Sequence, residues 1–209
     1  MLKKNVLRKS DIYAIIDLQV ADKRNLASLL KNLIKNNIRI IQLRDKKSSF
    51  NQIFKKALFI KNIVKDNALL IINDYPQICL LAGYDGVHLG QKDLSIRLAR
   101  KIVGEDKIIG ISCHNLKQAT SAQNSGADYL GLGSIFTTQT KKNTNRIDKK
   151  TLYLIKKRIK IPYFLIGGIN SARLEKNKLY KIKRIAVCRT LCESKDIKKT
   201  VSRLRGCLN

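Results

Sequence analysis

The chain has 209 residues, 44% of them hydrophobic, and sets 43 Lys plus Arg against 15 Asp plus Glu for a formal charge of +28. With only 2 prolines and 11 glycines it is neither collagen-like, Pro/Gly-rich nor a charge-dominated disordered chain, and its length suits one domain, since single cores stop growing near ~250 residues. Its longest apolar runs, such as 68–72, fall far short of the ~20 residues a membrane span needs, and the basic start MLKKNVLRKS lacks the apolar stretch and small-residue cleavage site of a secretory signal, so a cytoplasmic protein with no membrane partner is expected.

Short β-branched runs alternate with longer amphipathic stretches from end to end. A basic segment at 1–11 precedes the first strand, IYAIID at 12–17, and the periodic stretch 25–37 leads to a second strand at 38–45. Another helical stretch, 50–65, precedes ALLIIND at 68–74, and GVHLG follows at 86–90. Four further strands are expected at 107–114, 127–136, 162–169 and 184–191. Repeated βα units of this length imply a parallel sheet, and eight right-handed units close most naturally as a (β/α)8 TIM barrel. The expectation is a single compact domain with its core at 12–208 and 1–11 as a basic N-terminal extension; a doubly wound open sheet is the alternative.

In such a barrel the active site lies at the C-terminal ends of the strands. Gln42, Arg44 and Lys46 alternate at the end of the second strand, so all three are expected to face the mouth, although ion pairs with helix ends would serve equally well for the two cations. Asn73 and Asp74 end the third strand, and Asp93 follows the fourth. Two carboxylates on neighbouring strand ends suit Mg²⁺, which takes one or two of them and completes its shell with waters and phosphates; N-capping of the next helices is the competing role. His88, between apolar neighbours, is expected to be a hydrogen-bonded core residue. His114 follows Ser112 at a strand end, where catalysis and simple loop bonding are both open. The polar loop from Gly131 through Thr138, Gln139, Thr140 and Lys141 offers hydroxyls, amides and charge to a phosphate, or is an inert surface loop. Gly167-Gly168 lets the backbone approach a ligand closely, or makes a tight turn.

Cys79, Cys113, Cys188, Cys192 and Cys207 show no C-x-x-C spacing and are expected to be reduced fillers of apolar surfaces. The excess Lys is spread along the whole chain without zinc-finger, RNP-like or helix-turn-helix signals, so it is expected to be solvated surface rather than a specific nucleic-acid site. No Ser-His-Asp order or Cys-His pairing points to a hydrolase.

The ordered set QLRDK, INDY, GVHLGQKD, GISCH, GADYLGLGSIFTTQTKK and IGGIN resembles the thiamine-phosphate synthase family from about residue 12 to 191. That resemblance implies a (β/α)8 transferase that joins 4-amino-2-methyl-5-hydroxymethylpyrimidine diphosphate to a thiazole phosphate and releases diphosphate. It further implies that Gln42, Arg44, Lys46, Asn73, Ser112 and Lys141 hold the pyrimidine diphosphate, with Arg44, Lys46 and Lys141 stabilising the leaving group. Asp74 and Asp93 would bind Mg²⁺, and Thr138, Gln139, Thr140 and Gly168 would hold the thiazole phosphate. The chain departs from the family pattern at Tyr75, where Arg is common, at 181–184, where a Gly-Ala-x-Gly turn is usual, and at Cys188-Arg189-Thr190-Leu191 in place of Val-Ser-Ala-Ile. Cys188 and Arg189 therefore enter the expected thiazole-phosphate pocket, where Arg189 either pairs with the phosphate or fills the space. Thiazole tautomerase, a relative with a His in the region of His114, and a degenerate phosphate-binding barrel are the alternative readings. Self-association as a homo-oligomer stays open.

Overall fold

The computed structural model describes residues 3–21, 24–138, 146–177 and 182–208. Helix α1 (Lys3–Lys9) leads into β1 (Ile12–Asp17), α2 (Leu26–Lys35), β2 (Ile40–Arg44), α3 (Phe50–Val64) and β3 (Leu69–Asn73). Next come α4 (Pro76–Leu81), β4 (Gly86–Leu89), α5 (Ile96–Val103), β5 (Ile108–Cys113), α6 (Leu116–Asn124) and β6 (Tyr129–Leu132). The chain finishes with α7 (Lys149–Arg158), β7 (Tyr163–Ile166), α8 (Ser171–Lys176), β8 (Ile185–Val187), α9 (Arg189–Cys192) and α10 (Ile197–Gly206). The strands form a closed parallel barrel in sequence order, sealed where β1 pairs with β8 through Ile12 opposite Ile185 and Ala14 opposite Val187. The eight-unit (β/α)8 reading holds, and the open-sheet alternative does not.

Strand alternation divides the core into two layers. Ile12, Ala14, Ile16, Ile41, Leu43, Leu70 and Ile72 face outward and pack under helix stripes such as Leu29, Leu30 and Leu33 of α2 or Ile53, Ala57 and Ile60 of α3. Tyr13, Ile15, Ile40, Leu69, Ile71, Ile108, Tyr129, Phe164 and Ala186 point inward and fill the barrel. The aromatic rings of Tyr13, Tyr129 and Phe164 meet edge-on or tilted at its centre, with centroids 5.3–6.0 Å apart. Gly110 makes room for them, because a Cβ there would lie 2.0 Å from the Tyr129 ring. Seven of the described helices start on side-chain caps. Asn25, Ser49, Ser95, Asn115, Asp148, Asn170 and Asp196 each accept the backbone N–H three residues on, and Ser49 with Gln52 completes a capping box.

Three expected strands reach half their expected length or less, and the run 162–169 contributes only Tyr163–Ile166. The run 127–136 contributes only Tyr129–Leu132. The run 184–191 contributes only Ile185–Val187, because the N–H groups of Leu191 and Cys192 turn back to the carbonyl of Cys188 and wind Arg189–Cys192 into a helical turn. The segment before β1 is not merely a basic tail either: Leu7 of α1 is buried with the inward-facing barrel residues, and Lys3 and Lys4 pair with Asp85 and Asp128. No described Lys or Arg is buried. Among the described residues no helix is long and apolar enough to cross a membrane.

Candidate active site at the barrel mouth

The C-terminal ends of the strands open onto a cavity of about 320 Å³, walled by Arg44, Ser112, His114, Gly131, Thr138, Gly167, Gly168, Cys188 and Arg189 among others. A smaller recess of about 40 Å³ continues it into the barrel, sharing Arg44, Ser112, Gly131 and Ile166 and adding Gln42, Asn73 and His88. Residues separated by well over a hundred positions therefore line one space, because every strand ends at the same rim.

Gln42 lines the inner recess and Arg44 lines both spaces, whereas Lys46, just past β2, is on neither wall; the two cations are not helix-end partners. Arg44 donates through Nη1 to Asp17, a carboxylate whose side chain is only 2% exposed, while Lys46 donates to Asp74. Asp74 sits at φ 69°, a left-handed conformation that Asp and Asn tolerate better than most residues, and its N–H donates to the carbonyl of His88 at 2.9 Å. Its carboxyl lies close enough to that of Asp93 to interact with it. Burial holds the Asp74 carboxyl above the usual carboxylate range; Lys46 pulls it down, and Asp93 pushes it further up.

Neither carboxylate caps a helix. Tyr75 occupies the N-cap of α4 without a side-chain bond, its ring set edge-on to Phe50, and Ser95 caps α5. Asp93 instead accepts from the Gly90 N–H at 2.6 Å. Two adjacent carboxylates, one of them disfavoured in its charged form, match the donor set of a hard divalent cation. No third His, Cys, Asp or Glu joins them in a metal-sized group among the described residues, so any such ion must take the rest of its shell from waters or from a ligand's oxygens.

On the opposite side of the mouth, Gly167 and Gly168 adopt φ 105° and 60°. A Cβ on Gly168 would lie 2.3 Å from the Thr137 carbonyl and 2.4 Å from Arg173 Nη1, so this corner needs glycine both for its conformation and for the closeness of its neighbours. Arg173 Nη1 donates to the carbonyls of Thr137 at 2.8 Å and Gly168 at 2.7 Å, tying the loop after β6 to the loop after β7. Thr138 and Cys188 line the same wall. A hydrogen bond with Cys192, together with burial, raises the Cys188 thiol well above its usual range and keeps it protonated. Arg189 projects from the helical turn of α9 and pairs with Glu193; its Nε is buried with no hydrogen-bond partner, and the cavity beside it stays open. Gln139, Thr140 and Lys141 lie outside the described residues.

The two histidines separate as their contexts suggest. His88 is buried, with Nδ1 2.9 Å from the Tyr129 hydroxyl and Nε2 2.9 Å from Ser112 Oγ. His114 lies on the cavity wall, with its Nδ1 bonded to the carbonyl of Gly133 and its N–H donating to Gln118 at 2.8 Å. Sequence reasoning missed Asp17, Tyr13, Tyr129 and Arg173. Asp17 carried the same signal as Asp74, a scarce carboxylate closing an apolar strand; the others had none, since nothing local distinguishes them from core or surface residues.

Residues 12–191 match the family model described as thiamine monophosphate synthase. This chain belongs to that family. It is 40% identical to the thiamine-phosphate synthase of Clostridium tetani over 199 residues, 95% of each chain, and 38% identical to that of Fusobacterium nucleatum over 204 residues, 95% of this chain and 97% of the other. Its structure matches the thiamine phosphate pyrophosphorylase of Pyrococcus furiosus with a TM-score of 0.84 at 28% identity, covering 97% of both chains. Similarity to a 3-hexulose-6-phosphate synthase, at TM-score 0.67 and 12% identity, reflects the barrel alone.

Proposed function

We propose that the barrel mouth carries out thiamine-phosphate synthesis, transferring a pyrimidinylmethyl group from its diphosphate to the nitrogen of a thiazole phosphate. One observation supports this best: the cavity at the strand ends has Arg44 on one wall, with the Lys46–Asp74–Asp93 cluster at the adjoining strand ends, and a glycine-rich, arginine-flanked corner on the other. Those two sides suit two phosphorylated substrates held face to face.

In the reaction the methylene–oxygen bond breaks, diphosphate leaves with the electron pair, and the thiazole nitrogen supplies the pair for the new carbon–nitrogen bond. No general base is required. Arg44 and Lys46 would exchange Asp17 and Asp74 for diphosphate oxygens and neutralise the charge that builds there, with Lys141 as a third cation in the same role. Asp74 and Asp93 would hold Mg²⁺, which when bound supplies further neutralisation of the departing diphosphate. Gln42, Asn73 and Ser112 would seat the pyrimidine in the inner recess. Thr138, Gln139, Thr140 and the Gly168 amide would hold the thiazole phosphate, with Cys188 and Arg189 on the adjoining wall and Arg189 donating to it. Holding both substrates at attack distance within low-dielectric walls supplies the rest of the rate enhancement. Buried reduced cysteines at 79, 113 and 192 support a cytoplasmic setting.

Incubating purified protein with both substrates and Mg²⁺ should yield thiamine phosphate, with turnover lost in Asp93→Ala while folding is retained. A protein that binds thiazole phosphate but makes no product would instead support the degenerate barrel.

A further inference from the structure

We propose that Tyr13, Tyr129 and His88 form a hydrogen-bond relay inside the barrel that couples Gln42 to Ser112 and selects a heterocycle edge with a ring-nitrogen acceptor beside an amino donor. The proposal deepens, and rests on, the reading of the mouth as a pyrimidine-diphosphate site. Four consecutive contacts make the relay. Gln42 Nε2 donates to the Tyr13 hydroxyl at 2.7 Å, and the Tyr13 and Tyr129 hydroxyls are 2.8 Å apart. Tyr129 lies 2.9 Å from His88 Nδ1, and His88 Nε2 lies 2.9 Å from Ser112 Oγ. Every member is buried and lines the inner recess, with Gln42 and Ser112 as the two ends of the chain of bonds.

Proton counting fixes the direction. Burial pushes both tyrosine hydroxyls far above their usual range, so each keeps its single proton. Tyr13 accepts from the Gln42 amide and therefore gives its proton to Tyr129. Tyr129 in turn must donate to His88 Nδ1, which leaves the imidazole neutral with its proton on Nε2, and that proton goes to Ser112 Oγ. The Ser112 proton is then the one that remains for a ligand, while Gln42 offers its Oε1 as an acceptor. The two ends cannot change roles independently, since reversing one reverses all four bonds.

A 4-aminopyrimidine presents a ring nitrogen that accepts next to an amine that donates, which satisfies Ser112 and Gln42 together. A 4-oxopyrimidine presents a ring N–H beside a carbonyl, the inverse pattern, and leaves buried donors facing donors. Tyr13, Tyr129 and His88 line the same recess, but their hydroxyls and ring nitrogens are taken up within the relay, so they act as positioning residues that set the polarity of Gln42 and Ser112.

The test combines a tautomer measurement with substrate discrimination. Long-range ¹H–¹⁵N spectra of histidine-labelled protein, assigned with His114→Gln because the chain has 2 histidines, should show His88 protonated at Nε2 and unprotonated at Nδ1. Wild-type protein should favour 4-amino over 4-oxo pyrimidine diphosphate by at least about a hundredfold in kcat/KM, because the mismatch leaves two buried groups unpaired. Tyr129→Phe, which keeps the ring and its packing, should lose about tenfold or more of that preference and show an Nδ1-protonated population, with KM for thiazole phosphate unchanged. Tyr13→Phe should lose discrimination in the same direction and guards against misfolding of the first variant. An Nδ1-protonated His88 in the wild type, or full discrimination in both folded variants, overturns the relay. Failure of the wild type to use the 4-amino substrate overturns the synthase reading instead, and the tautomer measurement still judges the relay.

Discussion

Replacing Asp74 by Asn tests the carboxylate pair with little disturbance to the backbone, since Asn tolerates φ 69° as well as Asp does. The substitution takes the ion-pair partner from Lys46, whose side chain is 44% exposed, a loss of no more than ~1 kcal/mol. It also relieves a carboxyl that burial and Asp93 disfavour in its charged form, while the lost Lys46 contact works the other way. The opposing effects should leave stability at neutral pH within about 1 kcal/mol of wild type. The sign of the pH dependence is fixed. The folded-state pKa of Asp74 lies above its unfolded value, so the folded state binds the proton more tightly; its contribution is fully present at low pH and is lost as the pH rises through the folded pKa. Wild type should therefore gain on Asp74→Asn as the pH falls and lose ground as it rises, measured by urea unfolding between about pH 4 and pH 8. Turnover should fall by about 10²–10³-fold with the loss of half the cation's carboxylate donors. A variant that is more than about 2 kcal/mol less stable at neutral pH but matches wild type in acid would show that the Lys46 pair dominates, refuting the argument that burial does.

Three further substitutions probe other parts of the rim. Gly168→Ala forces a Cβ to within 2.3 Å of the Thr137 carbonyl and carries a left-handed penalty of ~1–2 kcal/mol, so KM for thiazole phosphate should rise at least about tenfold while that for pyrimidine diphosphate holds; equal effects on both would disprove a local role. Asp17→Ala strands the Arg44 guanidinium, whose side chain is 14% exposed, and should reduce stability by about 3 kcal/mol in chemical denaturation. A loss below about 1 kcal/mol would mean that solvent reaches Arg44 freely. Arg189→Ala should raise KM for thiazole phosphate by about 10-fold or more through loss of a charge-assisted bond; a lowered KM would show that the side chain obstructs the pocket.

The barrel was legible because its signal is periodic. Strand runs at 12–17 and 68–74 and helical stripes at 50–65 recur with spacings that alternation and the α-helical turn impose, and β1 spans Ile12–Asp17 just as the apolar run does. Its ends were less legible. Nothing in ADYLGLGSIF or RIAVCRTL says where the ladder stops, because that depends on whether a neighbouring strand still offers partners. Chain order also led to the expectation of Arg44, Lys46, Asp74 and Asp93 near the mouth, since the end of a barrel strand is a position in space as well as in sequence; Arg44 is on the cavity wall, and the other three cluster at the adjoining strand ends without lining it. Their pairings were not in the sequence: Arg44 meets Asp17 and Lys46 meets Asp74 because β1 lies beside β2 and β2 beside β3, and both carboxylates are free of helix caps only because Tyr75 and Ser95 take those places. The buried line from Gln42 to Ser112 belongs wholly to the tertiary structure. Its members come from five strands and are joined by hydroxyls on residues that composition marks only as core aromatics, and barrel closure alone brings them within hydrogen-bonding distance.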